Sequence, residues 1–142
     1  MTTTDTALSD ALHSKGMRVT PQRLVIARAL RRLDRHASVD EVATEVAKEF
    51  PNVSVPTVYA ALELLSDLGF ARRVTVAPGA VLYDPHTDDH HHLVCRRCHA
   101  VTDVELDLDT DTALAQAEAH GFAPDRAELV VTGLCRDCRA AA

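Results

Sequence analysis

The four cysteines of this 142-residue chain form two pairs with the same internal spacing. Cys95 and Cys98 form the first CxxC, Cys135 and Cys138 form the second, and thirty-six residues separate them. A CxxC turn presents two sulfurs to one ion, and two such turns complete a tetrahedral four-thiolate zinc site. The spacing therefore predicts structural Zn²⁺, with a dithiol redox switch and unrelated buried cysteines as the alternatives.

Histidines and aspartates crowd into the twenty residues around the first cysteine pair, namely Asp84, His86, His90, His91, His92, His99 and Asp103. If residues 90–94 are extended, His90 and His92 share one face and His91 points away. Imidazoles with carboxylates suit Fe(II), Mn(II) or Zn(II), in a more exchangeable site than an all-thiolate one. A merely solvated histidine-rich loop is the alternative. His36, taken alone, resembles an ordinary C-terminal helix cap.

The first half of the chain has the pattern of short helices followed by a hairpin. Apolar periodicity, with capping signals at Thr20, Ser38 and Ser54, predicts helices over about 8–15, 21–33, 38–49 and 54–68. Apolar runs over 70–76 and 81–83, joined by a turn, predict two strands. This order predicts a winged helix-turn-helix domain over residues 1–83.

The helix that begins at Ser54 is the expected recognition helix, which would enter a DNA major groove by its N-terminal residues. Ser54, Thr57 and Tyr59 could reach bases or the phosphate edge. The arginines of the second helix are interpreted mainly as a solvated face. Phosphate contacts are predicted for Lys15, Arg18 and Arg23 ahead of that helix and for Arg72 and Arg73 on the wing.

The chain changes character at Asp84, where a polar, histidine-rich segment begins. Strands are predicted over about 93–96, 101–106 and 128–132, with a helix over about 111–120. Residues 84–142 are thus expected to form a small α/β domain that binds metal and contains the four-cysteine zinc site. The fold class is α+β. A domain of this size buries too little apolar surface to be stable by itself, so it needs a cross-link or a partner.

Composition and charge agree with a globular chain that performs two tasks. Apolar residues make up 46% and charged residues 25%. The net charge is −6, but residues 1–78 hold ten basic against nine acidic residues, while 79–142 hold five against twelve. We expect no signal peptide, no membrane-spanning segment and a cytoplasmic location, since neither a basic N-terminus with an apolar run nor eighteen consecutive apolar residues occurs.

Four segments together resemble the ferric uptake regulator (Fur) family: RVTPQR at 18–23, SVPTVYAALELLSDLGF at 54–70, HHHLVCRRC at 90–98 and the final CxxC. The resemblance covers essentially the whole chain. It implies a homodimeric, metal-dependent transcriptional repressor with an α/β dimerisation domain, not an enzyme. It also implies that a regulatory metal at the hinge aligns both DNA-binding domains on a palindromic operator in double-stranded DNA, as two-fold symmetry would require.

Within that family, the regulatory ligands of peroxide-sensing (PerR-like) members correspond to His36, Asp84, His90, His92 and Asp103, with His36 in the first domain and the other four in the second. Aspartate at both carboxylate positions favours that branch, because iron-sensing members more often carry glutamate there. The resemblance implies that Fe(II) reacts with hydrogen peroxide, that His36 or His90 is oxidised, and that metal and DNA are released. Mn(II) would close the dimer without that chemistry. An iron- or other metal-responsive repressor without peroxide chemistry is the alternative.

Two positions depart from the family pattern. Ala60 stands where many members carry arginine, so one DNA contact is missing. Ala127 stands where a further family metal site has a histidine, so we expect no third site and a surface role for His120. Outside the repressor interpretation, a zinc hydrolase would need a general base and a substrate pocket, for which the sequence gives no sign. A thiol-based redox sensor is the third hypothesis.

Overall fold

A computed structural model describes residues 3–77 and 79–141, and these divide into two compact units. The first unit comprises residues 3–75 and 79–87, and the second comprises 76–77 and 88–141. The predicted α+β class, with an N-terminal helical domain and a C-terminal domain built on a small sheet, is confirmed. Each unit is described by itself.

Four helices make up most of the first unit: α1 (Thr3–Ser14), α2 (Pro21–Leu33), α3 (Val39–Val46) and α4 (Val55–Asp67). Each predicted cap forms. Thr20 accepts a hydrogen bond from the Arg23 amide, Ser54 accepts one from the Thr57 amide, and Ser38 heads a complete capping box. The first helix begins five residues earlier than predicted. Its added turn buries an acidic side chain against α2, an interaction that apolar periodicity does not register.

A two-stranded hairpin completes the first unit, with β1 at Arg72–Ala77 and β2 at Ala80–Asp84. The end of β2 is fastened to the residue after His36. Ala37 donates its amide to the Tyr83 carbonyl at 3.0 Å, and Tyr83 donates back to the Ala37 carbonyl at 2.8 Å. Two segments far apart in sequence are thereby held at a fixed register.

The hydrophobic core lies in the first unit and draws on all four helices and the hairpin. Burying each large aliphatic side chain contributes about 1.5–3 kcal/mol. The largest fully buried apolar side chains are Leu8, Leu12, Ile26, Leu30, Val42, Val46, Val58, Leu62 and Tyr83. This core makes the winged-helix unit a rigid platform for residues on its surface.

The second unit is a three-stranded sheet with two helices: β3 (His91–Cys95), β4 (Val101–Val104), α5 (Thr110–Ala119), β5 (Val130–Gly133) and α6 (Arg136–Ala140). The strand order is β4-β3-β5, with β4 antiparallel and β5 parallel to β3. The parallel pair requires a crossover, and α5 lies within it. The short α6, which was not predicted, begins at the second cysteine pair.

The second unit has little core of its own. Among its described residues, only Val94 and Cys95 are buried apolar side chains. Large apolar side chains stay exposed instead, namely Leu93, Leu108, Phe122, Leu129, Val130 and Val131. Apolar burial alone therefore cannot account for the stability of the second unit. Within residues 3–77 and 79–141, every helix is too short or too polar to cross a membrane.

Candidate functional site

The four cysteine sulfurs of the second unit converge on one point. Cys95 ends β3, Cys98 follows in a turn, Cys135 is the N-cap of α6 and Cys138 lies within that helix. The four Sγ atoms all lie within 4.8 Å of one another, and those of Cys98 and Cys135 are 3.8 Å apart. A tetrahedral zinc ion with bonds of about 2.3 Å requires sulfurs about 3.8 Å apart. The cluster therefore fits the predicted structural zinc.

Backbone amides point at the sulfurs of this cluster. The amides of Cys98 and Cys138 each donate to the first sulfur of their own pair at 3.5 Å. Donation from the Cys135 and Cys98 amides lowers the pKa of Cys95 to about 5. The hydrogen bond between Cys138 and Cys135 raises the pKa of Cys138 to about 12. Adjacent thiols cannot all ionise unless a cation compensates them, so the cluster has the chemistry of a metal site.

His99 closes the turn that contains Cys95 and Cys98. By sequence, it is one of the clustered histidines that could bind a metal ion. Its backbone adopts the left-handed conformation with φ 62°, and its amide donates to the Cys95 carbonyl at 2.9 Å. Arg97 donates to the Cys138 carbonyl at 3.3 Å and so ties one turn to the other. His99 is thus part of the cysteine turn.

The first unit contributes one imidazole and one carboxylate that face each other. His36 Nε2 lies 3.0 Å from Asp84 Oδ2, and the Asp84 side chain is fully buried. The other carboxylate oxygen accepts a hydrogen bond from the His86 amide at 2.8 Å. Asp84 was assigned to the second domain from sequence, but it belongs to the first unit. The reason is the backbone pairing of Tyr83 with Ala37, which fastens the end of β2 beside His36.

The second unit contributes two imidazoles and one carboxylate. His90 Nε2 and His92 Nε2 each lie 3.4 Å from Asp103 Oδ1. Strand register explains the placement, since His92 pairs directly with Asp103 across β3 and β4. His90 Nδ1 bonds the Asp88 carbonyl, which leaves Nε2 turned toward the carboxylate. Three side chains that could bind a metal ion thus lie close together, beside the start of β3 and its partner β4.

The remaining histidines of the cluster have structural partners. His91 Nδ1 accepts a hydrogen bond from the Leu129 amide at 2.9 Å, so it ties β3 to the segment before β5. His86 Nε2 lies 2.9 Å from Asp34 Oδ1 within the first unit. The prediction that His91 points away from its neighbours agrees with this contact.

An open groove runs beside the start of α4. Its volume is about 390 Å³. The groove is lined by Thr20, Gln22, Arg23, Ile26, Pro56, Thr57, Ala60, Ala61 and Leu64. Arg23 also donates to the Arg18 carbonyl at 2.6 Å, which holds two predicted phosphate ligands together. Ala60, where many family members carry arginine, is exposed and lines this groove.

The other predicted DNA contacts differ in their exposure. Tyr59 is half exposed on α4, Lys15 is exposed after α1, and Arg72 is half buried in β1. Arg73 is engaged by Glu63 and Asp67 of α4. Those two carboxylates were not singled out from the sequence, although their spacing of four, one turn after Tyr59, places all three on one face of the helix.

A winged-helix unit joined to a small sheet that carries a tetrahedral thiolate site defines a class of metal-containing DNA-binding proteins. The model of the ferric uptake regulator family matches residues 14–132. The chain therefore belongs to the ferric uptake regulator family, the family that its sequence motifs resemble.

Individual relatives agree with this assignment. The peroxide-responsive repressor PerR of Staphylococcus aureus is 30% identical over 129 residues, which cover 91% of this chain and 87% of that protein. The Helicobacter pylori ferric uptake regulator Fur is 19% identical with a TM-score of 0.73, covering 94% and 89% of the two chains, and shows the shared fold. A zinc uptake regulator solved with zinc and DNA is 27% identical with a TM-score of 0.62, covering 99% and 98%.

Proposed function

We propose that this chain is a metal-responsive, DNA-binding transcriptional repressor that senses peroxide through a regulatory Fe(II) or Mn(II) ion. A separate structural zinc ion would be held by Cys95, Cys98, Cys135 and Cys138. The regulatory ligands would be His36, Asp84, His90, His92 and Asp103. The observation that carries the proposal is that each unit by itself presents imidazole nitrogen and carboxylate oxygen at one place.

The donor set suits the proposed ions. Three imidazoles and two carboxylates match the preference of Fe(II) and Mn(II), which are harder than the ions that select thiolates. Because the ligands come from two units, an ion that binds all five would favour one relative arrangement of those units over others. Bound Fe(II) would provide reactivity toward peroxide, whereas bound Mn(II) would not.

The chain's own residues would prepare the ligands for that ion. The Asp88 carbonyl orients the His90 ring, and the His86 amide occupies one oxygen of Asp84. Such outer contacts fix ligand orientation and commonly change metal affinity by about 10–100-fold when lost. Loss of a ligand histidine to oxidation would remove one contact from a set that spans both units.

The proposed partner is double-stranded DNA with a palindromic operator, bound by a homodimer. The exposed Leu93, Val130 and Val131 lie on the sheet of the second unit, and a second copy would cover them. Two-fold symmetry of the dimer would match an inverted repeat. The proposed DNA contacts are those of Lys15, Arg18, Arg23, Ser54, Thr57, Tyr59 and Arg72, with Arg73 considered separately below.

Peroxide sensing is favoured over plain metal sensing by aspartate at both carboxylate positions and by the S. aureus relative. An iron- or other metal-responsive repressor without peroxide chemistry is the second candidate. The same ligand set supports it, since ligand identity alone does not fix the reaction at the metal.

The test is DNA binding by anisotropy, on a palindrome selected from random duplexes, with apo, Mn(II)-loaded and anaerobic Fe(II)-loaded protein. We expect either metal to tighten binding by roughly 5–150-fold, the usual range of allosteric coupling. Peroxide should then abolish binding of the iron form alone. His36→Ala should remove the metal response, while His120→Ala, an exposed histidine bonded to the Gln116 carbonyl, should keep it. Metal-dependent binding that resists peroxide in the iron form would select the second candidate.

A further inference from the structure

The guanidinium of Arg73 joins the wing to the recognition helix. Arg73, on β1, contacts the Glu63 carboxylate, donates to the Glu63 carbonyl at 3.3 Å and pairs with Asp67 at 2.8 Å. Glu63 and Asp67 lie one turn apart on α4, so both face the wing. These contacts raise the pKa of Arg73, with the Asp67 hydrogen bond as the largest cause. Arg73 is therefore paired with carboxylates of its own chain.

The same carboxylate also influences two tyrosines. Tyr59 lies one turn before Glu63 on the same face of α4, and its side chain is 50% exposed. The nearby Glu63 carboxylate raises the pKa of Tyr59. Burial raises the pKa of Tyr83 to about 12, and the charge of Glu63 adds to that effect.

The net charge of Glu63, Asp67 and Arg73 determines how this group affects DNA binding. Two carboxylates surround one guanidinium, which leaves one negative charge beside the predicted recognition helix. An arginine paired in this way displaces no counterion from DNA, whereas a free one would add about 0.9 to the slope of log affinity against log salt. Phosphate contacts raise affinity for every sequence, while base contacts discriminate between sequences.

We infer that Glu63 and Asp67 are positioning residues for DNA recognition, which together keep Arg73 off the phosphates. The inference rests on the proposed DNA-binding function. Its consequence is that the pair Glu63 and Asp67 lowers affinity for unrelated DNA and so increases the ratio of operator to non-operator binding. The sequence-based assignment of Arg73 as a phosphate ligand is replaced by this role.

The chain offers a matched control for the test. Arg32, near the end of α2, pairs with Glu45 and Glu49, two carboxylates that are also four residues apart. The start of α2, not its end, lines the groove at α4. The variants Glu63→Gln/Asp67→Asn and Glu45→Gln/Glu49→Gln change the net charge equally. The first releases Arg73, and the second releases Arg32 together with Lys48, which pairs with Glu45 at 2.8 Å.

The experiment measures operator and non-operator affinity of Mn(II)-loaded protein between 50 and 200 mM salt. In Glu63→Gln/Asp67→Asn we expect the salt slope to steepen by about 0.9, an extra loss of about 3.5-fold over that range. Non-operator DNA should bind several-fold more tightly at low salt. Adding Arg73→Gln should restore the wild-type slope.

Two results would overturn the inference. One is an unchanged slope in Glu63→Gln/Asp67→Asn, and the other is an equal change in Glu45→Gln/Glu49→Gln, which would reflect net charge alone. Failure of the proposed function has a different signature, because wild-type protein would then not distinguish operator from non-operator DNA in any metal state. Circular dichroism of each variant checks that the helices are retained.

Discussion

Replacing Cys135 by serine isolates the contribution of the thiolate cluster to the second unit. Cys135 caps α6 by accepting a hydrogen bond from the Cys138 amide, and a serine hydroxyl can do the same. The substitution therefore keeps the cap and removes one metal ligand. The two buried apolar residues of this unit, Val94 and Cys95, contribute at most about 3–6 kcal/mol together. A structural zinc ion contributes about 10–16 kcal/mol, so its loss should unfold the unit.

Hydrogen exchange with mass spectrometry checks this prediction, with metal content measured in parallel. In Cys135→Ser, amides of β3 and β5 should lose their protection, including the Arg96 amide that donates to the Gly133 carbonyl at 2.8 Å. Amides of α2 and α4 should keep theirs, because the core of the first unit does not involve the cysteines. Zinc-free protein with wild-type protection in β3 and β5 would refute the reasoning.

Three further predictions concern single carboxylates. Asp5→Asn, which weakens two ion pairs to partly exposed arginines of α2, should lower the free energy of unfolding of the first unit by about 1–3 kcal/mol in urea titrations. Burial raises the pKa of Glu41, but hydrogen bonds from the Ser38 amide and Arg35 together hold it below its ordinary value of 4.5. Its stabilisation should be complete above that pH and be lost as the pH falls through the lowered pKa. Glu41→Gln should remove this part of the acid sensitivity in melts between about pH 3 and pH 6. Asp103→Asn should weaken Mn(II) binding by about 10–100-fold or more in calorimetry and leave zinc content unchanged.

Local signals predicted the helices of the first unit well. Threonine and serine caps at Thr20, Ser38 and Ser54 gave the starts of α2, α3 and α4, because capping depends on neighbouring residues only. The start of α1 escaped prediction, since Asp5 is stabilised by residues more than twenty positions away. Long-range ion pairs leave no periodic trace in a sequence.

The prediction of the candidate metal ligands had similar limits. Four cysteines in two CxxC turns indicated their own convergence, because each turn already brings two sulfurs together. The spacing of residues along the sequence did not show that Asp84 belongs to the first unit. It depends on the pairing of Tyr83 with Ala37, a contact across more than forty residues.

The inferred role of Arg73 illustrates a third limit. Arg73 was assigned to phosphate because it is basic and lies on a wing, and charge alone suggested no other partner. Its pairing with Glu63 and Asp67 depends on how β1 lies against α4. Helical spacing shows that those two carboxylates share a face but does not show which strand that face meets.

The most direct test of a peroxide-sensing metal site is peptide mass spectrometry after a brief hydrogen peroxide pulse. Anaerobically Fe(II)-loaded protein is compared with a Mn(II)-loaded control. The proposal predicts one added oxygen on the peptide that contains His36 or His90, in the iron sample only, together with release of the regulatory metal. Unmodified histidines with iron still bound would contradict peroxide sensing and leave a repressor that responds to metal alone.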